Sequence, residues 1–93
     1  MILSFSCQET EKIAQGLTSR RLPQNLQNVM HRKLRMLNAA SHLRDLLIPP
    51  NNRLESLKGD LRGQHSIRIN QQWRLCFIWT DHGPINVEIV DYH

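Results

Sequence analysis

Two places in the second half of the chain combine residue types that could act on a phosphate group. Arg74 lies in the most apolar predicted strand, and a guanidinium can form two parallel hydrogen bonds with a phosphate or a carboxylate. The chain closes on Asp91, Tyr92 and His93, and a histidine titrates near neutral pH and can transfer a proton. The alternatives without chemistry are an ion pair between Arg74 and Glu88 and a solvated tail at His93.

Three further side chains could take part in phosphate or acid–base chemistry. Lys58 precedes a Gly-Asp turn, where it could neutralise a phosphate or simply be a solvated strand end. Glu55 could act as a base beside an arginine or lysine, although most exposed glutamates do no chemistry. His65 has the same strand parity as Ile67 and Ile69, which predicts a packed histidine rather than a catalyst.

The sequence lacks the motifs of several other enzyme classes. It has no nucleotide-binding glycine loop, no G-x-S-x-G and no HExxH. No pair among His31, His42 and His82 has metal-ligand spacing on one helix face, and Asp91 and His93 have no third ligand close in sequence. We therefore expect neither a metal nor another cofactor.

Length and composition predict one domain in a reducing cytoplasm. The chain has 93 residues, 40% of them hydrophobic and 22% charged, which is typical of a small globular fold. The two distant cysteines, Cys7 and Cys76, argue against a disulfide scaffold or a zinc ribbon. No basic leader opens the sequence, and no apolar run approaches the ~20 residues that span a bilayer, so we expect no membrane contact.

The excess positive charge is concentrated in the first half. The formal net charge is +4, and the segment from Lys12 to Arg44 holds seven basic residues and no acidic one. Such a segment favours a polyanion or an acidic partner over a merely solvated face. Residues 1–48 are predicted to form a strand and helices, namely a strand over Ile2–Phe5, helices over Gln8–Leu17 and Pro23–Ala40, and a short helix to Leu47 that Ser41 could cap.

Residues 53–93 change to an apolar period of two, which predicts an antiparallel sheet with one buried face. Odd hairpin loops would keep the apolar residues on that face. They predict the pairs Ile69–Trp73, Ile67–Leu75, Arg68–Arg74, Trp79–Ile85, Phe77–Val87 and Leu75–Ile89. Arg68, Arg74, Glu88 and Tyr92 would then emerge on the other face. The fold class is therefore α+β, with the N-terminal strand and helices packed on one face of a curled antiparallel sheet.

Four stretches of the chain resemble the HigB (plasmid-maintenance killer) toxins of the RelE superfamily. They are LESLKGD from Leu54, GQHSIRI from Gly63, QWRLCF from Gln72 and the closing VDYH. The resemblance is strong across Pro49–His93, while the first half agrees in length, helical character and opening strand. It implies one RelE-like domain over residues 1–93 and a metal-independent endoribonuclease that cuts mRNA in the ribosomal A site.

The resemblance also implies partners and residue roles. A HigA-type helix-turn-helix antitoxin would neutralise the toxin, and operator DNA would be bound only through their complex. In these toxins the RNA 2′-hydroxyl attacks the adjacent phosphate, leaving a cyclic phosphate and a free 5′-hydroxyl. Arg74 and Lys58 would stabilise the phosphate, His93 would transfer a proton, Tyr92 would stack or orient, and Asp91 would orient His93 or the 2′-hydroxyl. The basic residues expected to contact RNA or the ribosome are Arg32, Lys33, Arg35 and Arg68.

Glu55 departs from the family pattern, because several HigB toxins have a catalytic histidine at this position. A glutamate can serve as a base but cannot supply the same cationic acid at neutral pH. Either Glu55 takes the base role, or His93 or His65 takes over more of the work, or the activity is weak. Two other functions stay open: a non-catalytic module that binds RNA or the ribosome, and a co-repressor that acts with the antitoxin.

Overall fold

Two helices form where apolar side chains recur at helical spacing. In the computed structural model, which describes residues 1–57 and 63–92, α1 spans Gln8–Ala14 and α2 spans Gln27–Ala39. The first helix ends before the predicted Leu17, because Gly16 adopts a φ of +83° and turns the chain. The amide of Leu17 then donates to the carbonyl of Lys12 at 2.9 Å, which closes the helix end.

The predicted helix from Pro23 to Ala40 is present with a different beginning. A 3₁₀ turn over Gln24–Leu26 precedes α2, and two further 3₁₀ turns span Leu43–Leu47 and Pro50–Asn52. The predicted short helix to Leu47 is therefore present, but it is a 3₁₀ helix rather than an α-helix. Among the helices of the described residues, none is long and apolar enough to cross a membrane.

The second half forms the predicted antiparallel sheet. Its strands are β1 (Glu55–Ser56), β2 (Gln64–Arg68), β3 (Trp73–Thr80) and β4 (Gly83–Asp91), and they lie in the order β1-β2-β3-β4. Both helices pack on one face through a shared core, in which the fully buried side chains include Ile13, Met30, Leu34, Ile67, Leu75, Phe77 and Val87. The predicted α+β class and layering are confirmed.

The register agrees with the prediction near the site and differs at the far end of the β3–β4 hairpin. Ile67 pairs with Leu75, Arg68 with Arg74 and Leu75 with Ile89, as expected. The pair Trp79–Ile85 is wrong, because Trp79 lies opposite Pro84. A bulge causes this shift. Phe77 faces both Asn86 and Val87 rather than Val87 alone.

Asparagine tolerates the conformation that this bulge requires, and Asn86 has a φ of +54°. The predicted pair Trp79–Ile85 implies a loop over residues 80–84, and the extra residue in β4 replaces it with a two-residue turn between Thr80 and Gly83. The predicted N-terminal strand is reduced to one parallel bridge between Phe5 and Val87. The N-terminal segment thus covers part of the β4 edge.

Asn52 forms buried hydrogen bonds that join α2 to the segment between this helix and the sheet. It is fully buried, and its amide nitrogen donates to the carbonyl of Leu46 at 3.1 Å. Its amide oxygen accepts a hydrogen bond from the amino group of Lys33, which is itself only 4% exposed. Sequence patterning missed this residue, because a buried asparagine in a Pro-Asn-Asn turn resembles any other turn residue.

Replacing Asn52 by alanine is expected to lower the free energy of unfolding by about 1–3 kcal/mol, because it leaves a buried ammonium and a buried carbonyl unpaired. Chemical denaturation measures this difference. The neighbouring Asn51 is exposed, so Asn51→Ala is a matched control that should change stability by no more than about 0.5 kcal/mol. Equal stability of the two variants would contradict the bracing role of Asn52.

Candidate active site

The guanidinium of Arg74 is held by hydrogen bonds to Ser66 on the neighbouring strand and to Arg53, which precedes β1. Its Nε donates to the hydroxyl of Ser66 at 2.7 Å, and its Nη2 donates to the backbone carbonyls of Arg53 at 2.6 Å and Ser66 at 3.3 Å. Arg74 is only 8% exposed and Ser66 is fully buried. The guanidinium therefore has a fixed orientation before any ligand arrives.

The remaining nitrogen of Arg74 faces Glu55. Nη1 lies 3.5 Å from Oε1 of Glu55, whose side chain is 54% exposed. At this distance the two side chains form an ion pair, but the separation exceeds that of an ordinary N–H···O hydrogen bond. The alternative partner considered for Arg74 was Glu88, and the structure replaces it with Glu55. A buried cation and an exposed carboxylate thus lie side by side, which is what a phosphate-binding group and a nearby base require.

An open cavity of about 270 Å³ lies over this pair. Its lining residues are Arg53, Glu55, Arg68, Asn70, Gln71 and Arg74. Arg68 is directly opposite Arg74 on the neighbouring strand, a placement of like charges that destabilises a sheet. Among the described lining residues, three arginines face one carboxylate, which gives this part of the cavity a positive potential and favours an anionic ligand.

Tyr92 lies on the same face of the sheet as Arg74. Side chains alternate along a strand, and Arg74 pairs with Val90, two residues before Tyr92. Tyr92 is 37% exposed. It lines a neighbouring cavity of about 220 Å³ together with Leu57, Gln64, Cys76, Asn86, Glu88 and Val90. The predicted common face of Arg68, Arg74, Glu88 and Tyr92 agrees with this register.

Asp91 belongs to the other parity of β4. It pairs with Trp73, and its carboxylate accepts a hydrogen bond from the side-chain Nε2 of Gln72 at 3.0 Å. By strand alternation, its side chain leaves the backbone on the face opposite to that of Arg74. The structure therefore brings Arg74, Glu55, Arg68 and Tyr92 to one face but not Asp91. Lys58 and His93 lie outside the described residues, and their roles stay predictions.

The basic residues of α2 divide into two kinds. Arg32 and Arg35 are exposed, as expected of a contact surface. Lys33 is buried, and burial lowers the pKa of its amino group, with a smaller contribution from the charge of Arg32. Lys33 therefore does not lie on the exposed face with Arg32 and Arg35, and its predicted contact with RNA or the ribosome stays a prediction. A helix places consecutive residues about 100° apart, so adjacent basic residues cannot all face solvent alike.

Two other reactive groups near the site have structural explanations. Burial raises the pKa of the Cys76 thiol to about 11, so this cysteine is protonated and a poor nucleophile at neutral pH. His65 stacks on Phe77 with ring centroids 6.3 Å apart, in agreement with the predicted packed histidine. Within the parts of the chain that the structure describes, no three potential metal ligands lie close enough to hold an ion.

Sequence reasoning missed the groups that hold Arg74. Ser66 has the same strand parity as Arg68 and lies opposite Cys76, so the predicted register already placed it diagonal to Arg74. A small hydroxyl residue beside a buried arginine is the signal that could have identified it. The carbonyl of Arg53 could not be found in this way, because it depends on a positive φ of 46° at that residue.

Comparison with known sequences identifies the family. A family model described as the RelE-like toxin of the type II toxin-antitoxin system HigB matches residues 8–93. Toxin HigB-1 of Vibrio cholerae serotype O1 is 48% identical over 67 residues, which cover 72% of this chain and 70% of that toxin. An uncharacterised protein of Haemophilus influenzae is 37% identical over 78 residues, 84% of this chain and 76% of that protein.

Solved structures agree on the fold. The YoeB-YefM complex from Staphylococcus aureus includes a chain that matches with a TM-score of 0.63 and 22% identity, covering 100% of this chain and 95% of that one. YafQ from E. coli matches with a TM-score of 0.60 and 17% identity, covering 98% and 91%. The RelE-like fold expected from the sequence is confirmed. The chain therefore belongs to the HigB-like family, the RelE-like toxins of type II toxin-antitoxin systems.

Proposed function

We propose that this toxin is a ribosome-dependent mRNA endoribonuclease that inhibits translation and growth. The observation that carries the proposal is the guanidinium of Arg74, fixed by Ser66 and Arg53 and directed at an open cavity beside Glu55. A preorganised cation stabilises charge that develops on a phosphate without having to reorganise during the reaction. A module that only binds RNA has no need of an arginine fastened in this way beside a carboxylate.

The reaction proposed for this site is an internal transfer at one phosphate of the messenger. The 2′-oxygen of the ribose forms a bond to phosphorus while the bond from phosphorus to the 5′-oxygen breaks. Glu55 accepts the proton of the 2′-hydroxyl, and His93 donates a proton to the departing 5′-oxygen. The products are a 2′,3′-cyclic phosphate and a free 5′-hydroxyl, and no metal or other cofactor takes part.

The other predicted residues support this transfer in the proposal. Arg74 and Lys58 stabilise the charge on the phosphate oxygens, and Tyr92 stacks on a base or orients it. Because Asp91 leaves β4 on the opposite face, we assign it to positioning of the chain end that carries Tyr92 and His93 rather than to contact with RNA. Its hydrogen bond with Gln72 is consistent with that role.

Replacing Glu55 by glutamine is expected to reduce the rate of messenger cleavage by about 100-fold, because the amide cannot accept the proton. Glu55→His should retain most of the activity and shift the pH at which the rate rises towards the pKa of an imidazole, about 6.5. Single-turnover cleavage on programmed ribosomes at several pH values measures both effects.

Glu11→Gln is the control for Glu55→Gln. Glu11 is an exposed glutamate in the first turn of α1, and its replacement removes the same charge. An unchanged cleavage rate in Glu55→Gln would exclude Glu55 as the base. The base would then have to be His93 or another group.

The proposed partners follow from the family and from the charge of the chain. We propose that a HigA-type helix-turn-helix antitoxin neutralises this toxin in the cytoplasm, since the structural neighbour YoeB is found in a complex with YefM. The ribosomal A site and mRNA are the targets, and operator DNA is bound only through the antitoxin complex. A net charge of +4 suits both an RNA target and an acidic segment of a partner.

A further inference from the structure

A second polar cavity adjoins the candidate active site. It has a volume of about 300 Å³ and lies between α2 and the end of β2. Its lining residues are Arg32, Lys33, Asn51, Arg68, Ile69 and Asn70. Among these, three are cations, two are amides and none is a carboxylate. Arg68 and Asn70 also line the cavity over Arg74, so the two cavities share a wall.

The cations of this second cavity have no anionic partner among the residues that the structure describes. The ion pairs found within residues 1–57 and 63–92 join Lys12 with Glu9 and Arg74 with Glu55. Arg32, Lys33 and Arg68 are thus left without a carboxylate in the described part of the chain. Concentrated like charge costs stability unless an anion neutralises it.

The buried side chain of Lys33 distinguishes this cavity from a patch of exposed cations on the surface. Its side chain is buried, and within residues 1–57 and 63–92 its amino group donates one hydrogen bond, to the fully buried Asn52. An ammonium has three donors, so two have no acceptor among these residues and can serve a ligand in the cavity. Burial of a charged group is costly unless it is paired, and the depressed pKa of Lys33 shows that cost. An anion seated against Lys33 would offset it.

We propose that this second cavity binds the internucleotide phosphate next to the one that is cut, so that the toxin holds two successive phosphates of a single RNA strand. The inference rests on the proposed function, and it deepens that function by assigning Arg32 and Lys33 to the second phosphate, with Arg68 shared between the two. Arg68 lies between the two sites and faces both phosphates. The like-charged pair of Arg68 and Arg74 is then explained, because an anion lies on each side of Arg68.

The same residues have a purely structural alternative, in which Lys33 only braces Asn52. That role accounts for Lys33 but not for Arg32, which is exposed and makes no hydrogen bond or ion pair within the described residues. It also leaves unexplained why the described part of the lining contains no carboxylate. Arg32 is therefore the residue that distinguishes the two explanations, and its substitution should leave the fold intact.

The test pairs an Arg32→Ala variant with messengers that each contain one uncharged methylphosphonate linkage. Ribosomes programmed with these messengers are cleaved by the native toxin and by the variant. In the native toxin, neutralising one phosphate adjacent to the cut should reduce kcat/KM by about tenfold, mostly through KM. Arg32→Ala should cause a similar loss on the unmodified messenger and no further loss on the neutralised one, because both changes remove the same contact.

Arg20→Ala is the matched control, since Arg20 is also exposed in the basic half of the chain but does not line either cavity. It should not change the response to the neutral linkage. The alternative result is that the loss of kcat/KM caused by Arg32→Ala multiplies with the loss caused by each neutral linkage. That result would overturn the phosphate subsite while leaving the nuclease intact. Failure of the native toxin to cut the unmodified messenger would instead overturn the proposed function, and the subsite with it.

Discussion

Replacing Arg74 by lysine is expected to slow messenger cleavage by about 100-fold or more, although the positive charge is kept. The guanidinium uses two of its nitrogens to bind Ser66 and the carbonyl of Arg53, and it presents the third beside Glu55. A lysine has one compact ammonium group on a flexible stem and cannot be anchored and directed at a phosphate at the same time. The loss should appear in kcat, because the contact strengthens as charge develops on the phosphate.

The measurement for Arg74→Lys is single-turnover cleavage together with ribosome binding and thermal unfolding. Unfolding is needed because Arg74 is buried, and a partly unfolded variant would be inactive for a trivial reason. Arg21→Lys at an exposed position controls for the substitution itself. Loss of cleavage and growth arrest with intact ribosome binding would support catalysis. Undiminished growth arrest in a folded, non-cleaving variant would favour a module that acts by binding alone.

Removing the imidazole of His93 is the second change for which we expect a large effect. His93→Ala should reduce cleavage by about 100- to 10,000-fold, the range typical of a lost general acid or base. The variant should also lose the fall in rate at high pH that reports deprotonation of the acid. A messenger in which sulfur replaces the 5′-oxygen at the cut should restore much of the rate of this variant. A thiolate is a better leaving group and departs without a proton from His93.

His82→Ala is the control for His93, since His82 is exposed in the turn between β3 and β4. It should cleave at the native rate. The proton-donor role of His93 would be contradicted if His93→Ala kept the native pH profile, or if the 5′-thio messenger were cut no better than the ordinary one by that variant.

The local register around the site could be predicted from the sequence because one buried face fixes it. A slip of one residue would turn Ile67, Leu75 and Ile89 to solvent, so the strands had a single acceptable pairing there. The same alternation placed Arg68, Arg74 and Tyr92 on the opposite face. What was predictable was therefore the set of side chains on each face of the sheet.

The remaining features depend on contacts that the spacing of apolar residues along the strands and helices does not specify. The bulge at Asn86 changed the far hairpin, because one residue with positive φ alters the pairing without changing the apolar pattern. Lys33 was predicted with Arg32 and Arg35 as a contact to RNA or the ribosome, and its burial against Asn52 could not be read from that pattern. The partner of Arg74 was likewise decided by the short β1 strand, which lies beside β2 and places Glu55 opposite Ser66.

We propose that the messenger's own 2′-hydroxyl is the nucleophile at the Arg74 site. The most direct test places a single 2′-deoxy nucleotide immediately before the cut in a messenger on programmed ribosomes. We predict that the native toxin leaves this messenger intact, while it cuts the all-ribose messenger to a 2′,3′-cyclic phosphate and a 5′-hydroxyl. Cleavage of the 2′-deoxy messenger at an equal rate would contradict the account, because water or a protein group would then be the nucleophile.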